Sequence, residues 1–385
     1  MKTISHYKNA ICHRANKFIN ERRGWQTDRH IVVIESDDWG SIRMPSMEIL
    51  SSLQSKGLKF AIEMGYDKYD TIESNDDLEL LMGVLDSYRD KNNNPCVINL
   101  NYVVANPDFE MIASKNYNEY NYELIIETFQ KYPKRDRVLE LVHEGVKKQL
   151  FLPQFHGREH LNVPMWMYML KNGDKHTLNA FEYGVFSLLL DAKNDYNTSH
   201  FLQAYNVASN EDMEYVKKAL IEGLEIFEKI FGFKSESMIA PCYTWDDFVE
   251  ETVSKHNVKY IQGTFTQLNS FYNKFKNKYN YIGKVNAYDQ IYLVRNCSFE
   301  PSQNKKYDAE FCFKQIERNF NLKKPAIISS HRLNFIGGLS VSNRDDNLQE
   351  FKKLLRLITE KYSDVEFLST SELGSVIFND IAYGK

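Results

Sequence analysis

The feature that most constrains the fold of this 385-residue chain is an alternation of short apolar runs with longer segments of helical periodicity. The apolar runs have the length of buried strands, and the segments between them repeat their apolar residues every three to four positions. The predicted strands are residues 31–36, 96–104, 150–155, 237–241, 258–265, 291–299, 325–330 and 364–369. The predicted helices are residues 76–90, with Asn75 as N-cap, 136–149, 210–231, 246–256, 307–320 and 345–362.

Strands that alternate with helices pair in parallel, because each helix carries the chain back to the same end of the sheet. About seven such strands are enough to close a barrel, although a doubly wound open sheet shows the same alternation. In both architectures the functional site lies at the carboxyl ends of the strands. Polar residues that directly follow a predicted strand are therefore the candidates for function.

Composition limits the partners and the compartment. The net charge of −4 gives no reason to expect nucleic acid as a partner, and the lysine-rich stretch 271–284 is interpreted as a solvated loop or hairpin. Five widely spaced cysteines without a CxxC pair predict free thiols in a reducing compartment. No apolar run approaches the ~20 residues of a membrane span, and the N-terminus has no signal-peptide core, so a cytoplasmic location is expected.

Two adjacent carboxylates follow the first predicted strand, in the stretch HIVVIESDDWGS at residues 30–41. Asp37 and Asp38 repel each other, and burial of either charge is costly unless water, a cation or a chemical task compensates for it. The pair therefore marks a candidate site at this strand end.

Two histidines follow the third predicted strand, in QFHGREHLNVP at residues 154–164. In an extended chain His156 and His160 would lie ~13 Å apart, too far to share a metal ion. In one helical turn their side chains would be neighbours at ~5–6 Å, and the flanking Pro153 and Pro164 favour a short turn. The spacing is compatible with a shared metal ion if the segment forms that turn.

A third histidine, His331, directly follows the strand at 325–330 in AIISSHRLNF. The unperturbed pKa of imidazole suits proton transfer near neutrality. In company with the other two strand-end sites, His331 is a candidate proton-transfer group.

Taken together and in this order, SDD, HGREH and SSH resemble the motifs of the polysaccharide deacetylase family, the NodB-like carbohydrate esterases (carbohydrate esterase family 4-like). The resemblance covers residues 30–370 and implies a distorted (β/α)₇ barrel, an α/β fold. The resemblance implies that Asp37 is the general base and His331 the general acid. It implies that the metal ligands are Asp38, His156 and His160. We expect a helical N-terminal extension at 1–28 and a single catalytic barrel domain with insertions at 29–385.

The chain departs from the family pattern at several places. Gly157 stands where the second motif usually has Ser or Thr, and Met238 stands where the third motif has the arginine that supports the base. The following strand offers no acid to orient such an arginine. The coupling of an arginine to the base is therefore either missing or rebuilt from Arg158 or Arg332, and both of these arginines are candidate substrate-binding residues. The 117 residues between Asp38 and His156 exceed the usual spacing and indicate different substrate loops.

Aromatic residues near the motifs are candidates for stacking on a sugar face, with ordinary packing as the alternative. They are Trp39, Tyr243 and Trp245. Pro241 belongs to the same substrate-binding set, and a backbone N–H of the 241–243 loop is a candidate to stabilise an oxyanion.

One carboxylate with two imidazoles predicts a single divalent metal ion, zinc first, with cobalt or nickel as alternatives. Together with the resemblance, this ligand set predicts a metal-dependent hydrolase that removes an acetyl-type group from a carbohydrate. If the protein is cytoplasmic, the expected substrate is a precursor of cell-surface polysaccharide. Two alternatives are a catalytically silent barrel that binds glycan and a nucleotide-sugar glycosyltransferase whose acids hold a metal–diphosphate. A homo-oligomer is compatible with the sequence, and neither nucleic acid nor a membrane span is expected.

Overall fold

A ring of parallel strands forms the centre of the molecule. The computed structural model describes residues 22–61, 65–190, 195–271 and 274–384, together with residues 19 and 63. The strands are β1 Ile31–Trp39, β2 Ile98–Val103, β3 Ala105–Pro107, β4 Tyr122–Leu124, β5 Phe151–Gly157, β6 Ser237–Ile239, β7 Tyr260–Thr264, β8 Thr266–Phe271, β9 Lys274–Tyr279, β10 Ile291–Arg295, β11 Cys297–Ser298, β12 Ala326–His331 and β13 Glu366–Phe367. The helices are α1 Met47–Ser55, α2 Tyr66–Tyr69, α3 Asn75–Leu85, α4 Phe109–Ser114, α5 Ile125–Lys131, α6 Val138–Lys147, α7 Val163–Lys171, α8 Lys175–Phe181, α9 Asn210–Phe231, α10 Asp247–Ser254, α11 Ala309–Asn321, α12 Val341–Lys361 and α13 Thr370–Tyr383.

The main sheet has the strand order β10-β7-β6-β5-β2-β1-β12-β11, with every neighbouring pair parallel. Strands β10 and β11 are halves of one stretch that is interrupted at Asn296; β10 pairs with β7 and β11 with β12, so the order closes on itself. Because β10 and β11 are two halves of one stretch, the ring has seven strand positions, which confirms the predicted distorted (β/α)₇ barrel. The seam between β5 and β6 is short, with Phe155 and Met238 as its register pair.

Local sequence explains the elements well. All nine residues of β1 are buried, as expected for a parallel strand covered on both faces. Helix α9 has the predicted bounds, and its Ser209 N-cap accepts a hydrogen bond from the N–H of Asp212. The predicted cap of α3 was wrong: Asn75 is its first residue, and Ser74 forms a capping box with Asp77.

One crossover of the barrel is not helical. Between β7 and β10 the chain forms the antiparallel hairpin β8–β9, in which Lys274 and Lys276 are exposed. This confirms the interpretation of the lysine-rich stretch as a solvated hairpin. The hairpin therefore takes the place of a crossover helix between β7 and β10, which pair in parallel.

A second apolar cluster covers part of the carboxyl ends of the strands. It is formed mainly by α1, α7, α8 and the chain that follows α8, with Trp166 and Phe186 among its buried residues. Ser187, Leu189 and Leu202 from this part of the chain line the same cavity as the strand ends. The insertion therefore supplies one wall of the candidate site.

Most of the predicted extension at 1–28 lies outside the described residues, and the division at residue 29 stays a prediction. Within the described part of the chain, no helix combines the length and the apolar character needed to cross a bilayer.

Candidate metal and catalytic site

A cavity of about 390 Å³ lies at the carboxyl ends of the barrel strands. Its lining includes the five residues that the three sequence motifs predict as catalytic or metal-ligating. They are Asp37, Asp38, His156, His160 and His331. The topology thus brings together segments that are far apart in the chain.

Asp38, His156 and His160 form a compact group whose potential ligand atoms all lie within 4.8 Å of one another. Oδ1 of Asp38 is 3.2 Å from Nε2 of His156 and 3.3 Å from Nε2 of His160. Burial alone would raise the pKa of Asp38, but the two histidines outweigh it and hold the pKa well below its usual value. All three side chains are buried, so a charge placed among them has little access to water.

The orientation of His156 fits a ligand. Its Nδ1 lies 2.9 Å from the carbonyl oxygen of Ile239, which can only accept, so Nδ1 carries the hydrogen and Nε2 presents a lone pair. An oxygen and two imidazole nitrogens form a donor set suited to zinc, cobalt or nickel. The residues therefore fit the predicted divalent ion.

Two unusual backbone conformations aim these ligands. Strand β1 continues through Trp39, with a bulge after Ser36, and Asp38 has a φ of 76° in the left-handed region. Gly157 has a φ of 128°, which favours glycine, and a Cβ there would lie 2.9 Å from the hydroxyl of Tyr205. The bend at Gly157 lets the two histidines converge.

The predicted helical turn at HGREH was therefore wrong. His156 is part of β5, and the chain after Gly157 is irregular. The rings of His156 and His160 nevertheless lie 5.0 Å apart, because the glycine redirects the chain. Glycine at this position of the motif has a geometric reason.

Arg295, the last residue of β10, binds Asp37 through two hydrogen bonds. Its Nη1 lies 2.6 Å from Oδ2 and its Nη2 lies 2.7 Å from Oδ1, while Asn101 donates a further bond of 2.8 Å to Oδ1. Burial would raise the pKa of Asp37, but Arg295 outweighs it and the pKa is lowered to about 2. Asp37 is thus ionised at neutral pH and fixed in orientation.

Neither of the two arginines expected to replace the missing one contacts Asp37, so that expectation was wrong. Arg158 pairs with Glu159 and Glu222 beside Tyr215. It is buried away from the cavity, and its guanidinium lies over the ring of Tyr122.

Arg332 is also fully buried and does not line the cavity. It binds Asp70, Glu73 and the carbonyl of Ser41. These contacts tie the loop after β1 to the barrel. Both arginines therefore have structural partners in place of a substrate.

His331 lies next to Asp37 because the two are register partners on β12 and β1. Nε2 of His331 is 3.9 Å from Oδ2 of Asp37, and Nδ1 is 2.6 Å from Oε1 of Glu300. Burial would lower the pKa of His331, but Glu300 and then Asp38 and Asp37 outweigh it and raise it to about 9. The imidazole is therefore protonated at neutral pH.

The predicted aromatic platform is mostly part of the core. Trp39 is 0% exposed and donates to Ser36, while Trp245 is 1% exposed and donates to Glu250. Neither indole lines the cavity, so packing accounts for both.

Tyr243 does line the cavity, and its hydroxyl is 3.2 Å from Nη1 of Arg295. Pro241 is buried and begins the short 3₁₀ turn that places Tyr243 there. In this turn the N–H groups of Tyr243 and Thr244 bind the carbonyls of Ala240 and Pro241, whereas Cys242, with a φ of 55°, contributes none of these bonds. Its N–H is the candidate oxyanion donor.

Sequence reasoning missed four residues of the site. Glu300 directly follows the predicted strand 291–299, so the strand-end rule would have indicated it. Arg295 lies inside that predicted strand and ends only the observed β10, so the rule would not have indicated it. Arg43 and Tyr66 also line the cavity, but they come from the long connection after β1 and carry no strand-end signal.

Comparison with sequence models of known families found no match, and comparison with curated protein sequences found none either. Solved structures with a similar fold include a protein from Parabacteroides distasonis described as a glycoside hydrolase/deacetylase, with 10% identity, TM-score 0.49 and coverage of 93% of this chain and 73% of that one. A protein from Mycobacterium smegmatis described as a polysaccharide deacetylase has 10% identity, TM-score 0.45 and coverage of 93% and 94%. A 4-alpha-glucanotransferase from Thermococcus litoralis has 8% identity, TM-score 0.44 and coverage of 90% and 40%.

These neighbours differ in their chemistry, so the geometry of the site, and not the likeness, carries the functional argument. Two of these neighbours are described as deacetylases, and their likeness to this chain is one of overall fold.

Proposed function

We propose that this protein is a metal-dependent hydrolase that removes an acetyl-type group from an N- or O-acetylated carbohydrate. The observation that carries the proposal is one buried cavity in which an Asp–His–His group adjoins a fixed carboxylate and a protonated imidazole. Water activation and leaving-group protonation are the two tasks of acyl hydrolysis, and this site has a residue for each.

Asp38, His156 and His160 would hold the divalent ion. When bound, such an ion acidifies water and polarises an acyl carbonyl. Asp37 is the general base, because its carboxylate is ionised and faces the cavity beside this group. Arg295 keeps both oxygens of Asp37 in place, so the base does not rotate toward Asp38.

The developing oxyanion is assigned to the N–H of Cys242, which the 3₁₀ turn leaves out of its own hydrogen bonds. The proton that the departing amine or hydroxyl needs is assigned to the imidazolium of His331 as its source, and Glu300 orients this ring through Nδ1. Acid and base stand on adjacent strands, so both reach one acyl group.

The size of the cavity supports a small substrate. A volume of about 390 Å³ is at the lower end of the ~300–1,000 Å³ typical of small-molecule sites. A monosaccharide-sized precursor of cell-surface polysaccharide fits this limit better than a long polymer. Ser187, Leu189 and Leu202 also line the cavity, so the insertion bounds the space that a substrate can occupy.

The geometry disfavours the two alternatives. Met238, in place of the third-motif arginine, would favour a silent glycan-binding barrel, but Arg295 supports the base from another strand. A glycosyltransferase would need both acids for a metal–diphosphate, and Asp37 is already bound by Arg295 on both oxygens.

The test is acetate release from N- and O-acetylated monosaccharides and nucleotide sugars, with enzyme reconstituted in zinc, cobalt or nickel. We expect turnover by the wild type, loss with chelator and loss in Asp37→Asn. The exposed substitution Asp86→Asn serves as the control and should leave turnover intact. Unchanged acetate release by Asp37→Asn, or binding of sugar without turnover under every metal, would contradict the proposal.

A further inference from the structure

Both ring nitrogens of His331 are engaged by other side chains. Nδ1 lies 2.6 Å from Glu300, and Nε2 lies 3.1 Å from the hydroxyl of Tyr66. With both N–H groups directed to these partners, the imidazolium has no hydrogen left for a leaving group.

The hydroxyl of Tyr66 lies beside Nε2 of His331, and both residues line the cavity. It accepts a hydrogen bond from Nε2 of His331, and a second one of 2.8 Å from Nε2 of Gln303. A phenol oxygen that accepts twice still has its own hydrogen to donate. Tyr66 lines the cavity, so that hydrogen is available to a bound substrate.

Packing fixes the tyrosine in this place. Gly65 has a φ of 77° and approaches the carbonyl of Ser302 so closely that a Cβ would lie 2.5 Å from it. The ring of Tyr66 meets that of His331 edge-on at 5.3 Å, and the guanidinium of Arg43 lies 4.8 Å from its centroid. These contacts hold the hydroxyl against the imidazole at the wall of the cavity.

We infer that Tyr66 is a catalytic residue that relays the proton from His331 to the leaving group; the inference rests on the proposed hydrolase function. As the bond from the acyl carbon to the leaving nitrogen or oxygen breaks, its electron pair stays on the leaving atom, which takes the hydrogen of the Tyr66 hydroxyl. The phenol oxygen takes the Nε2 hydrogen of His331 at the same time. The phenol is restored, and the imidazolium becomes a neutral imidazole that keeps its Nδ1 hydrogen toward Glu300.

The phenol is in the state that this relay needs. Burial, Glu300 and Asp38 raise the pKa of Tyr66 well above its usual value, so the hydroxyl keeps its hydrogen in the resting site.

The test compares acetate esters whose leaving groups need a proton to different degrees. The probes are 4-nitrophenyl acetate, phenyl acetate and ethyl acetate, used with the metal-reconstituted wild type, Tyr66→Phe and Tyr69→Phe. Tyr69 is on the same short helix but does not line the cavity, so its variant controls for loss of a hydroxyl there. We expect Tyr66→Phe to hydrolyse the nitrophenyl ester within about threefold of wild type and to lose ~10²-fold or more on the ethyl ester.

The dependence of kcat/KM on leaving-group pKa should therefore become steeper in Tyr66→Phe and stay as in wild type in Tyr69→Phe. Activity on the nitrophenyl ester also shows that the variant is folded. An equal loss on all three esters would assign Tyr66 to positioning, and no loss on any would mean that His331 donates directly; each overturns the relay. A wild type without turnover of any ester would contradict the proposed function itself, and the relay with it.

Discussion

Arg295 and Asp37, which are 258 positions apart in the chain, form a two-bond ion pair inside the barrel. The guanidinium also binds Glu35 through Nε at 2.6 Å, so one arginine from β10 contacts two buried carboxylates of β1. A planar fork of donors suits this arrangement, and the compact ammonium of lysine does not. The pair gives the base the support that the third motif lacks at Met238.

Substitution of Arg295 by Gln should impair the base. Without the guanidinium, burial raises the pKa of Asp37, so the acid limb of the pH profile should move to higher pH. Loss of orientation should lower kcat/KM by ~10²-fold. The measurement is kcat/KM against pH for wild type, Arg295→Gln and the exposed Arg137→Gln. An unshifted acid limb in Arg295→Gln, at normal folding by circular dichroism, would show that Arg295 does not control the base.

The metal content of single-residue variants should distinguish the metal ligands from other residues that line the cavity. Asp38→Asn, His156→Ala and His160→Ala should each lose the ion, because three ligands are the fewest that hold such a site tightly. His200 lines the same cavity but lies outside the group, so His200→Ala should keep the ion. Elemental analysis after dialysis gives the answer. Retention of metal in any of the three, or its loss in His200→Ala, would place the ion elsewhere.

Substitution of Glu300 by Gln should shift the basic limb of the pH profile. Glu300 is the largest influence that raises the pKa of His331 to about 9, and without it burial lowers that pKa. The imidazolium is the active form, so activity should be lost at a lower pH than in wild type. The pH dependence of kcat/KM on an alkyl ester is the readout, with Glu310→Gln on the surface as control. A basic limb that moves up or not at all would rule out His331 as the titrating acid.

Alanine at Gly157 should weaken the metal site. The residue has a φ of 128°, and the added Cβ would press on the Tyr205 hydroxyl and on the carbonyl of Glu159. The two histidines would no longer converge, and metal affinity should fall by ~10–100-fold, as for loss of a ligand's support. Gly57→Ala is the matched control, since Gly57 also has a positive φ but open space around it. Equal metal affinity in both variants, by competition with a chromogenic chelator, would contradict this account of the bend.

The barrel and the positions of its motifs could be predicted because they depend on local pattern. Apolar runs and amphipathic periods predicted the strands and helices, and position after a strand end predicted that Asp37, His156 and His331 meet at one end. The conformation of HGREH could not be predicted in the same way, because the spacing of His156 and His160 indicated a helical turn. In the structure His156 belongs to a strand, and the bend at Gly157 brings the two imidazole rings together.

Local sequence pattern is enough to predict the type of fold, the end of the barrel that carries the site and the residues that bring carboxylate and imidazole chemistry to it. Tertiary structure alone decided which arginine supports the base, which acid orients His331 and which tyrosine stands before it. Arg158 and Arg332 were nearer to the motifs in sequence, yet Arg295 reaches Asp37 because the closure of the ring places the β10–β11 stretch next to β12, which pairs with β1. Such partners depend on strand order and register across the whole barrel, and local periodicity carries no information about either.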